Sequence, residues 1–256
     1  MKDIFRLDGK VAIITGGLGG IGSYTSELLA EYGANIVIID ILPEDKAADL
    51  IKKIEDLGCK IIYIKADTRI YDDVVSVKNK ILSIFNKSDI LFNCTGSIKV
   101  CQFENMTDDI WDDCVETSVK STYYCCREIG KIMITQRSGS IINMSSIAAI
   151  IGLPRGNTHL AMAKGGIQAF TRTLAVEWAK YGIRINSIVP AQVATPPLLK
   201  LMQENETVAR QIIDSIPMRR IAQPQDIAAG VLYLASGASA FVTGHTLVID
   251  GGTTIA

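Results

Sequence analysis

Short apolar runs alternate along the chain with segments whose apolar residues recur at helical spacing. Each run is about the length of a strand and is bounded by turn-forming residues. The runs are continuous rather than alternating in polarity, which is typical of parallel strands buried on both faces of a sheet. The predicted strands cover 10–17, 34–40, 60–67, 89–96, 139–146, 183–191 and 246–252.

The segments between the runs predict helices with recognisable ends. Pro43 stands near the start of the second helix and Gly58 follows its end, the arrangement that helix termini favour. The region 195–218 is expected to be irregular with short helices, and its sequence ATPPLL favours a mobile loop. The predicted helices cover 22–33, 43–58, 71–85, 108–136, 158–180 and 223–236, the last entered through Pro224.

Strands that alternate with helices predict parallel pairing, because the helices serve as crossover connections over both faces of the sheet. We therefore expect a Rossmann-type, doubly wound α/β fold in three layers. No internal repeat or low-complexity linker interrupts the pattern, so a single domain over 1–256 is the simplest interpretation.

Composition excludes several classes of partner. The 256 residues carry a net charge of −1 and no Lys/Arg-rich run, so no nucleic-acid partner is expected. The apolar runs are shorter than the roughly 20 residues of a membrane span, and the opening MKDIFRLDGK has no apolar signal segment. The mean hydropathy of +0.25 is instead attributed to buried strands and a subunit interface.

The six cysteines form no CxxC motif, and His159 and His245 lie far apart in the sequence, so no metal site is expected. We interpret the cysteines as small buried hydrophobes. Free thiols in a chain without a secretion signal are typical of the reducing cytoplasm, which is the predicted location.

A glycine-rich segment, TGGLGGIG at 15–22, lies between the first strand and the first helix, with a G-x-G-x-x-G match at Gly17, Gly19 and Gly22. Glycines let the backbone approach a pyrophosphate, which the amides of the following helix then bind. The next strand ends at Asp40, whose carboxylate can accept ribose hydroxyls and would repel a 2′-phosphate. The segment therefore predicts a dinucleotide site that prefers NAD to NADP.

The same segment resembles the T-G-x-x-x-G-x-G loop of the short-chain dehydrogenases/reductases, with Gly16, Gly20 and Gly22 as its glycines. NCTG at 93–96 is similar to that family's N-N-A-G motif, and RINSIVPAQVATP at 184–196 to its proline-containing segment. The similarity extends from about Leu7 to Gly252. It implies a seven-stranded parallel sheet, a bound nicotinamide cofactor and a homotetramer whose interface uses the two long helices.

The resemblance also implies which residues contact the cofactor. The glycine segment would hold the pyrophosphate, and Asp67 would contact the adenine. Asn93 and Gly96 would line the adenosine ribose, and Lys164 would hold the ribose beside the nicotinamide. The carboxamide would lie against Pro190, Val193 and Thr195. The expected contacts are Gly16, Gly17, Leu18, Gly20, Ile21, Gly22, Asp40, Ile41, Asp67, Thr68, Asn93, Thr95, Gly96, Lys164, Pro190, Val193 and Thr195.

The resemblance breaks at the proton-transfer residues. The family uses Asn, Ser, Tyr and Lys, and this chain keeps the serine as Ser146 and the lysine as Lys164. The tyrosine position is Leu160 and the asparagine position is Ser118. His159 carries an imidazole and could serve as the acid if a one-residue shift moved it into place; otherwise it caps or flanks the helix. The candidate catalytic residues are thus Ser146, Lys164, His159 and Ser118.

Three functions stay open at this point. The first is an NAD(H)-dependent oxidoreductase with an altered proton path. Its substrate would be a small, apolar alcohol or ketone, because the expected substrate loop, 194–218, is rich in Leu, Met, Ile and Pro. The second is a non-redox cyclase, isomerase or lyase on the same fold. The third is a catalytically silent NAD-binding subunit.

Overall fold

Seven parallel strands form one sheet in the order β3-β2-β1-β4-β5-β6-β7 in the computed structural model, which describes residues 3–97, 99–154 and 156–256. The predicted doubly wound, seven-stranded parallel sheet is therefore confirmed. The strands are β1 Val11–Thr15, β2 Asn35–Asp40, β3 Ile61–Lys65, β4 Ile90–Asn93, β5 Gly139–Met144, β6 Ile183–Pro190 and β7 Thr246–Ile249.

Helices cover both faces of the sheet, which completes the three layers. Successive residues of a strand point to opposite faces, so Ala12 and Ile14 of β1 pack into one hydrophobic core while Val11 and Ile13 pack into the other. Helices α1, α2 and α9 cover the first core, and α3, α5 and α6 the second. The helices are α1 Gly20–Glu31, α2 Ala48–Asp56, α3 Tyr71–Phe85, α4 Asp108–Val115, α5 Ser121–Gln136, α6 Thr158–Trp178, α7 Pro196–Glu204, α8 Glu206–Asp214 and α9 Pro224–Ala235.

The long helix expected over 108–136 is interrupted by one π-helical turn, Glu116–Lys120, between α4 and α5. The chain stays helical throughout, but the turn holds one extra residue and rotates the side chains that follow it. Ser118 lies inside this turn and is fully buried. Hydrophobic spacing cannot predict such a turn, because the same residues suit an ordinary helix.

The region expected to be irregular, 195–218, is mostly helical and contains α7 and α8. Asn205 separates the two helices, and its side chain caps α8 by accepting the amide of Val208 at 3.0 Å. Ile212 and Ile216 are buried in a small cluster with Leu198 of α7 at its edge. The local apolar cluster explains why this segment is helical.

Several classes of site have no counterpart in the described residues. No helix there has the length and apolarity needed to cross a bilayer. In the same part of the chain, no group of three or more His, Cys, Asp or Glu side chains could hold a metal ion. All six cysteines are free thiols.

From β1 the chain adds β2 and β3 on one side and then returns to add β4 on the other side of β1, so the order of the strands reverses at β1. At such a switch point the loops after adjacent strands diverge and leave a crevice at the carboxyl edge of the sheet, where α/β proteins bind ligands. The glycine segment follows β1 and the residues from Cys94 follow β4, so both border this crevice.

Candidate cofactor and active site

The glycine segment turns sharply from β1 into α1. Gly16 has a φ of +62°, a conformation that side chains rarely adopt. A Cβ on Gly22 would collide with the carbonyl oxygen of Gly16, so the first turn of α1 packs directly on the loop. Helix α1 begins without a side-chain cap and without an acidic residue in its first turn. Its first amides are therefore available to an anion such as a pyrophosphate.

Asp40 ends β2 beside this loop. Its Oδ2 accepts the amide of Leu18 at 3.0 Å, and its Oδ1 accepts the amide of Leu42 at 3.3 Å. The Tyr63 hydroxyl donates to the carbonyl oxygens of Asp40 and Leu42, and burial, with a smaller contribution from Asp40, raises the pKa of Tyr63 to about 12. The carboxylate is thus fixed against the glycine segment, while Ile41 next to it is 58% exposed.

Asp67 and Thr68 follow β3. The Arg69 guanidinium donates to both carboxylate oxygens of Asp67 and lies 3.7 Å from Asp113 of α4. The hydrogen bond from Arg69 lowers the pKa of Asp67 despite partial burial. Thr68 is buried and accepts from Ser121 at 2.7 Å. Asp67, the predicted adenine contact, is therefore tied through Arg69 to α4, and Thr68, a further predicted cofactor contact, is tied to α5.

Thr15, the last residue of β1, positions the segment after β4. Its Oγ1 accepts the amide of Cys94 at 3.1 Å and that of Thr95 at 3.3 Å. Asn93 points away from the crevice, because its side chain donates to Asn143 at 2.8 Å inside the sheet. Any contact of Asn93 with a cofactor would therefore use its main chain. Thr95 has a buried hydroxyl without a partner among the described residues.

Lys164 lies on α6 with its side chain buried and its Nζ donating to the carbonyl oxygen of Met144 at 3.0 Å. Ser145 donates to the Lys164 carbonyl oxygen at 3.0 Å, which fixes the helix against the end of β5. Burial lowers the pKa of Lys164 to about 8. A Cβ built on Gly96 would lie 3.5 Å from this Nζ, so the ammonium faces the loop after β4.

Ser146 follows β5 and is half-buried. Its Oγ accepts the amide of Ala148 at 3.2 Å. A hydroxyl that accepts one hydrogen bond keeps its own hydrogen free to donate. Ser146 can therefore donate to a ligand oxygen at the mouth of the site.

Leu160 occupies the position one turn before Lys164 on the same face of α6. It is 5% exposed and packs with Cys114, Ala148 and Ala163. Because α6 is an α-helix from Thr158 onward, Leu160 keeps its spacing of four residues from Lys164 and no local shift brings His159 into its place. No proton donor therefore stands at this point of the helix.

His159 is 1% exposed, and neither of its ring nitrogens has a hydrogen-bond partner in the described chain. Consecutive helix residues point about 100° apart, so the side chain of His159 does not lie on the face of α6 that carries Leu160 and Lys164. The catalytic role of His159 stays a hypothesis.

Ser118 lies in the π-turn opposite α6. Its Oγ is buried and makes no hydrogen bond of normal geometry within the described residues. The same Cβ position on Gly96 lies 3.8 Å from this Oγ, so Ser118 and Lys164 border a common space beside Gly96. The neighbouring thiol of Cys114 has its pKa raised by burial, against smaller opposing effects of Lys164 and Ser118.

The segment after β6 closes the crevice from the far side. Val193 pairs with Ala222 in an isolated bridge, and the amide of Thr195 donates to the carbonyl oxygen of Val193 at 2.6 Å. A Cβ on Gly20 would lie 3.3 Å from Cγ2 of Thr195. Pro190 ends β6 and is buried. The predicted carboxamide contacts Val193 and Thr195 thus lie against the glycine segment.

Comparison with known proteins assigns the chain to a family. The sequence profile of the family described as Enoyl-(Acyl carrier protein) reductase matches residues 16–254. The chain is 38% identical over 248 residues to the 3-oxoacyl-(acyl-carrier-protein) reductase FabG of Chlamydia pneumoniae, covering 97% of this chain and 98% of the relative. The chain belongs to the short-chain dehydrogenase/reductase family.

Two other members of the family carry names that bear on the cofactor. The NAD-dependent glycerol dehydrogenase of Listeria innocua is 33% identical over 98% of this chain and 96% of its own. A crystal structure of a gluconate 5-dehydrogenase from Burkholderia cenocepacia in complex with NADP and tartrate has a TM-score of 0.93. It shares 30% identity and covers 98% of both chains. This short-chain dehydrogenase/reductase is accordingly an oxidoreductase of a family that binds nicotinamide cofactors.

The crevice of this short-chain dehydrogenase/reductase fits a dinucleotide on three observations. The loop glycines leave space that a Cβ would fill, α1 starts with free amides, and Asp40 presents a carboxylate beside them. Sequence reasoning missed Thr15, Tyr63 and Arg69, which hold the predicted residues in place. Thr15 is the one that a motif could have revealed, because it is the first residue of the glycine segment.

Proposed function

We propose that this chain is an NAD(H)-dependent short-chain dehydrogenase/reductase that interconverts a small, apolar alcohol and its ketone, with an altered path for the proton. The observation that carries the cofactor preference is the Asp40 carboxylate, held 3.0 Å from the Leu18 amide at the edge of the glycine segment. A carboxylate there accepts ribose hydroxyls and repels a 2′-phosphate. The named relatives divide between NAD and NADP, so the preference rests on Asp40 itself.

The cofactor would lie along the carboxyl edge of the sheet, and when bound it would accept or supply the hydride. The amides of Gly20 and Ile21 at the start of α1 would hold the pyrophosphate. Gly16, Gly17, Gly22, Ile41, Asp67, Thr68, Asn93, Thr95, Gly96, Pro190, Val193 and Thr195 would border the rest of it.

Two side chains at the other end of the crevice keep hydrogen-bond donors that a ligand could use. Lys164 uses one N–H of its ammonium on Met144, which leaves two N–H groups, at least one of them for a ribose hydroxyl. Ser146 keeps its hydroxyl hydrogen, which can orient a substrate oxygen. We assign these two residues, with Ser118 and His159 as the other candidates, to the catalytic part of the site.

Apolar side chains dominate the surfaces near Leu160. A cavity of about 320 Å³ is lined by the segment 148–153 together with Asn157, Thr158 and Ala161. It adjoins the apolar cluster of Leu160 and does not include Ser146 or Lys164. The segment 194–218, which we propose as the substrate loop, adds Leu198 and Met202 at the edge of its own cluster. These surfaces favour a small, apolar substrate.

We further propose that the chain is a single domain over 1–256 and assembles as a cytoplasmic homotetramer. Exposed side chains on the two long helices support an interface there: Val176 of α6 is 81% exposed and Tyr123 of α5 is 43% exposed. Light scattering on the purified protein tests the assembly; a monomer would contradict it.

A titration followed by a turnover assay tests the proposed function. NADH and NADPH are titrated separately while their fluorescence is recorded, and we expect tighter binding of NADH. Cyclohexanone and 2,3-butanedione, as a cyclic ketone and an α-diketone, are then offered with NADH, and loss of NADH absorbance is expected. Tighter binding of NADPH would contradict the cofactor preference.

The apolar surroundings of Leu160 favour a second candidate, the silent NAD-binding subunit. A side chain without a titratable group, packed against Ala148 and Ala163, cannot exchange a proton. Binding of NADH without turnover of any ketone or alcohol would support this candidate over the oxidoreductase. A non-redox reaction on the same fold would instead show turnover without a change in NADH absorbance.

A further inference from the structure

We propose that the ammonium of Lys164 is itself the proton source and sink for the substrate oxygen, acting through a water molecule that Ser118 holds. This inference rests on the proposed oxidoreductase function and names the group that replaces the missing phenol. In the family pattern the lysine binds a ribose and lowers the pKa of the tyrosine, and the asparagine, whose position is Ser118 here, anchors a water in a proton relay. What is proposed here is that the ammonium itself exchanges the proton in place of the phenol.

The first step is the loss of any other donor on this face of α6. Leu160 is 5% exposed within an apolar cluster, four residues before Lys164 on a regular helix. Leucine has no polar atom, so its side chain offers no proton to a substrate. The next polar atom along this face is Nζ of Lys164.

The second step is the hydrogen bonding of Nζ. As an ammonium it has three donors, and in the described chain it uses one, on the Met144 carbonyl oxygen at 3.0 Å. The side chain is 5% exposed, so the remaining donors cannot simply face bulk water. They face the loop after β4, since a Cβ on Gly96 would lie 3.5 Å from Nζ. Gly96 itself is exposed and marks the mouth of this space.

The third step is the unsatisfied hydroxyl of Ser118. It borders the same space, 3.8 Å from the same Cβ position, and among the described residues its one polar neighbour is the weakly hydrogen-bonding thiol of Cys114. An unpaired buried hydroxyl costs free energy, and a bridging water restores its hydrogen bonds. A water bound between Ser118 and Lys164 would have the partners that a stable site requires, and it would extend the reach of Nζ toward a substrate oxygen.

The fourth step is the charge around Nζ. In the part of the chain that the structure describes, the titratable groups that act on it are the thiols of Cys94, after β4, and Cys114, on α4. Burial raises the pKa of Cys94 to about 12 and also raises that of Cys114, so both stay protonated. Burial lowers the pKa of Lys164 to about 8, close to the working pH at which a group exchanges protons most effectively.

The proton balance is simple. In the reducing direction NADH, when bound, would supply the hydride for the carbonyl carbon, and the oxygen would gain the proton that the bridging water passes on from Nζ of Lys164. The products are the neutral alcohol, NAD and a neutral amine, and the amine regains a proton from solvent at the mouth beside Gly96. In the oxidising direction the neutral amine accepts the hydroxyl proton of the alcohol.

The first test uses the protein without cofactor or substrate. Lysine is labelled with ¹³C at Cε and its NMR signals are followed as the pH rises, and Lys164→Arg identifies the signal that disappears. If the buried arginine is not accommodated, Lys164→Met serves the same purpose. We expect Lys164 to titrate near pH 8, whereas exposed lysines titrate near about 10.4. A Lys164 signal that titrates with the exposed lysines would overturn the inference.

The second test compares pH profiles of ketone reduction and alcohol oxidation. In the wild type, we expect reduction to fall and oxidation to rise as the pH passes about 8. Arginine stays protonated at every accessible pH. Lys164→Arg should therefore lose this pH dependence and reduce at least about 100-fold more slowly, the typical contribution of a general acid. Lys52→Arg, on an exposed lysine of α2, is the matched control and should change neither profile.

NADH fluorescence is recorded for each variant, so that weaker cofactor binding is separated from slower proton transfer at saturating NADH. Ser118→Ala should slow turnover without moving the pH midpoint, because it removes the holder of the water and not the titrating group. A pH profile that survives Lys164→Arg overturns the inference and leaves the oxidoreductase intact. NADH binding with no turnover in the wild type counts against the oxidoreductase itself, and the proton role of Lys164 falls with it.

Discussion

Replacing Asp40 with asparagine changes one charge at the point where NAD and NADP differ. In the wild type the carboxylate accepts the amides of Leu18 and Leu42. Asparagine keeps one carbonyl oxygen for the Leu18 amide at 3.0 Å, so the glycine segment should keep its conformation. The substitution therefore tests the charge with little change in shape.

The magnitude follows from Coulomb's law and from hydrogen bonding. Two unit charges about 4 Å apart repel by about 4 kcal/mol at an effective dielectric constant of roughly 20. Asp40 is half-exposed and salt screens it, so we take about half of this repulsion energy. Removing the charge should therefore raise the affinity for NADPH roughly 30-fold. Loss of a charge-assisted hydrogen bond to the ribose should weaken the binding of NADH by about 1 kcal/mol, or roughly 5-fold. The preference for NADH should thus fall about 100-fold.

The assay is a pair of fluorescence titrations, with NADH and with NADPH, at low and at physiological ionic strength. Asp45→Asn, which makes the same acid-to-amide change a few residues away at an exposed side chain, is the control. The repulsion should also weaken as salt rises, because screening acts on exposed charge. A ratio of the two dissociation constants that does not change in Asp40→Asn would refute the reasoning, as would a wild type that already prefers NADPH.

Three further predictions concern other parts of the molecule. Leu160→Tyr should speed ketone reduction by about 10²-fold or more in a turnover assay if the site is built for hydride transfer, at a cost of about 1–3 kcal/mol in unfolding free energy from overpacking. Gly22→Ala should abolish NADH binding by fluorescence, because its Cβ would collide with the carbonyl oxygen of Gly16, while the surface change Ala229→Gly should leave binding intact. Burial opposes the charge of Glu128, but hydrogen bonds from Lys131, Lys78 and Tyr71 outweigh it and lower its pKa to about 2. A carboxyl group whose pKa is lowered on folding stabilises the fold at pH values above its unfolded pKa of about 4.3, and this stabilisation disappears as the pH falls toward 2. Glu128→Gln should therefore lower the free energy of unfolding, measured with urea, by about 2 kcal/mol at pH 7 and by less at pH 3.

The strands of the core were predictable because their physical cause is local. In β1, every residue from Val11 to Thr15 is buried, and a continuous apolar run of that length is what a sheet covered on both faces requires. The start of α9 was predictable for a local reason too, because proline favours the first position of a helix and Pro224 begins this one. Topology followed from the handedness of crossover connections and needed no information beyond the alternation of elements.

The parts that sequence could not predict depend on contacts between distant residues. No residue near Ser118 in the sequence marks a π-turn. The burial of Ser118 in this turn depends on packing against α6. The direction of Asn93 depends on Asn143, which is fifty residues away and donates in turn to Thr171. Motif spacing therefore predicts Asn93 at the end of β4 as a cofactor contact but could not say that its side chain turns inward.

The two halves of the site differ in what holds them, and this difference explains how one could be kept while the other changed. The cofactor half depends on main-chain amides, glycine conformation and Asp40, none of which contacts position 160. The proposed proton half depends on side chains that lie close together: Leu160 packs with Cys114, and Lys164 and Ser118 both lie beside Gly96. Lys164 belongs to both halves. Burying an ammonium against one carbonyl group costs free energy, and an exposed lysine could clamp a ribose without that cost. Burial lowers the pKa of Lys164 to about 8, and a lowered pKa is the property that the proposed proton exchange requires.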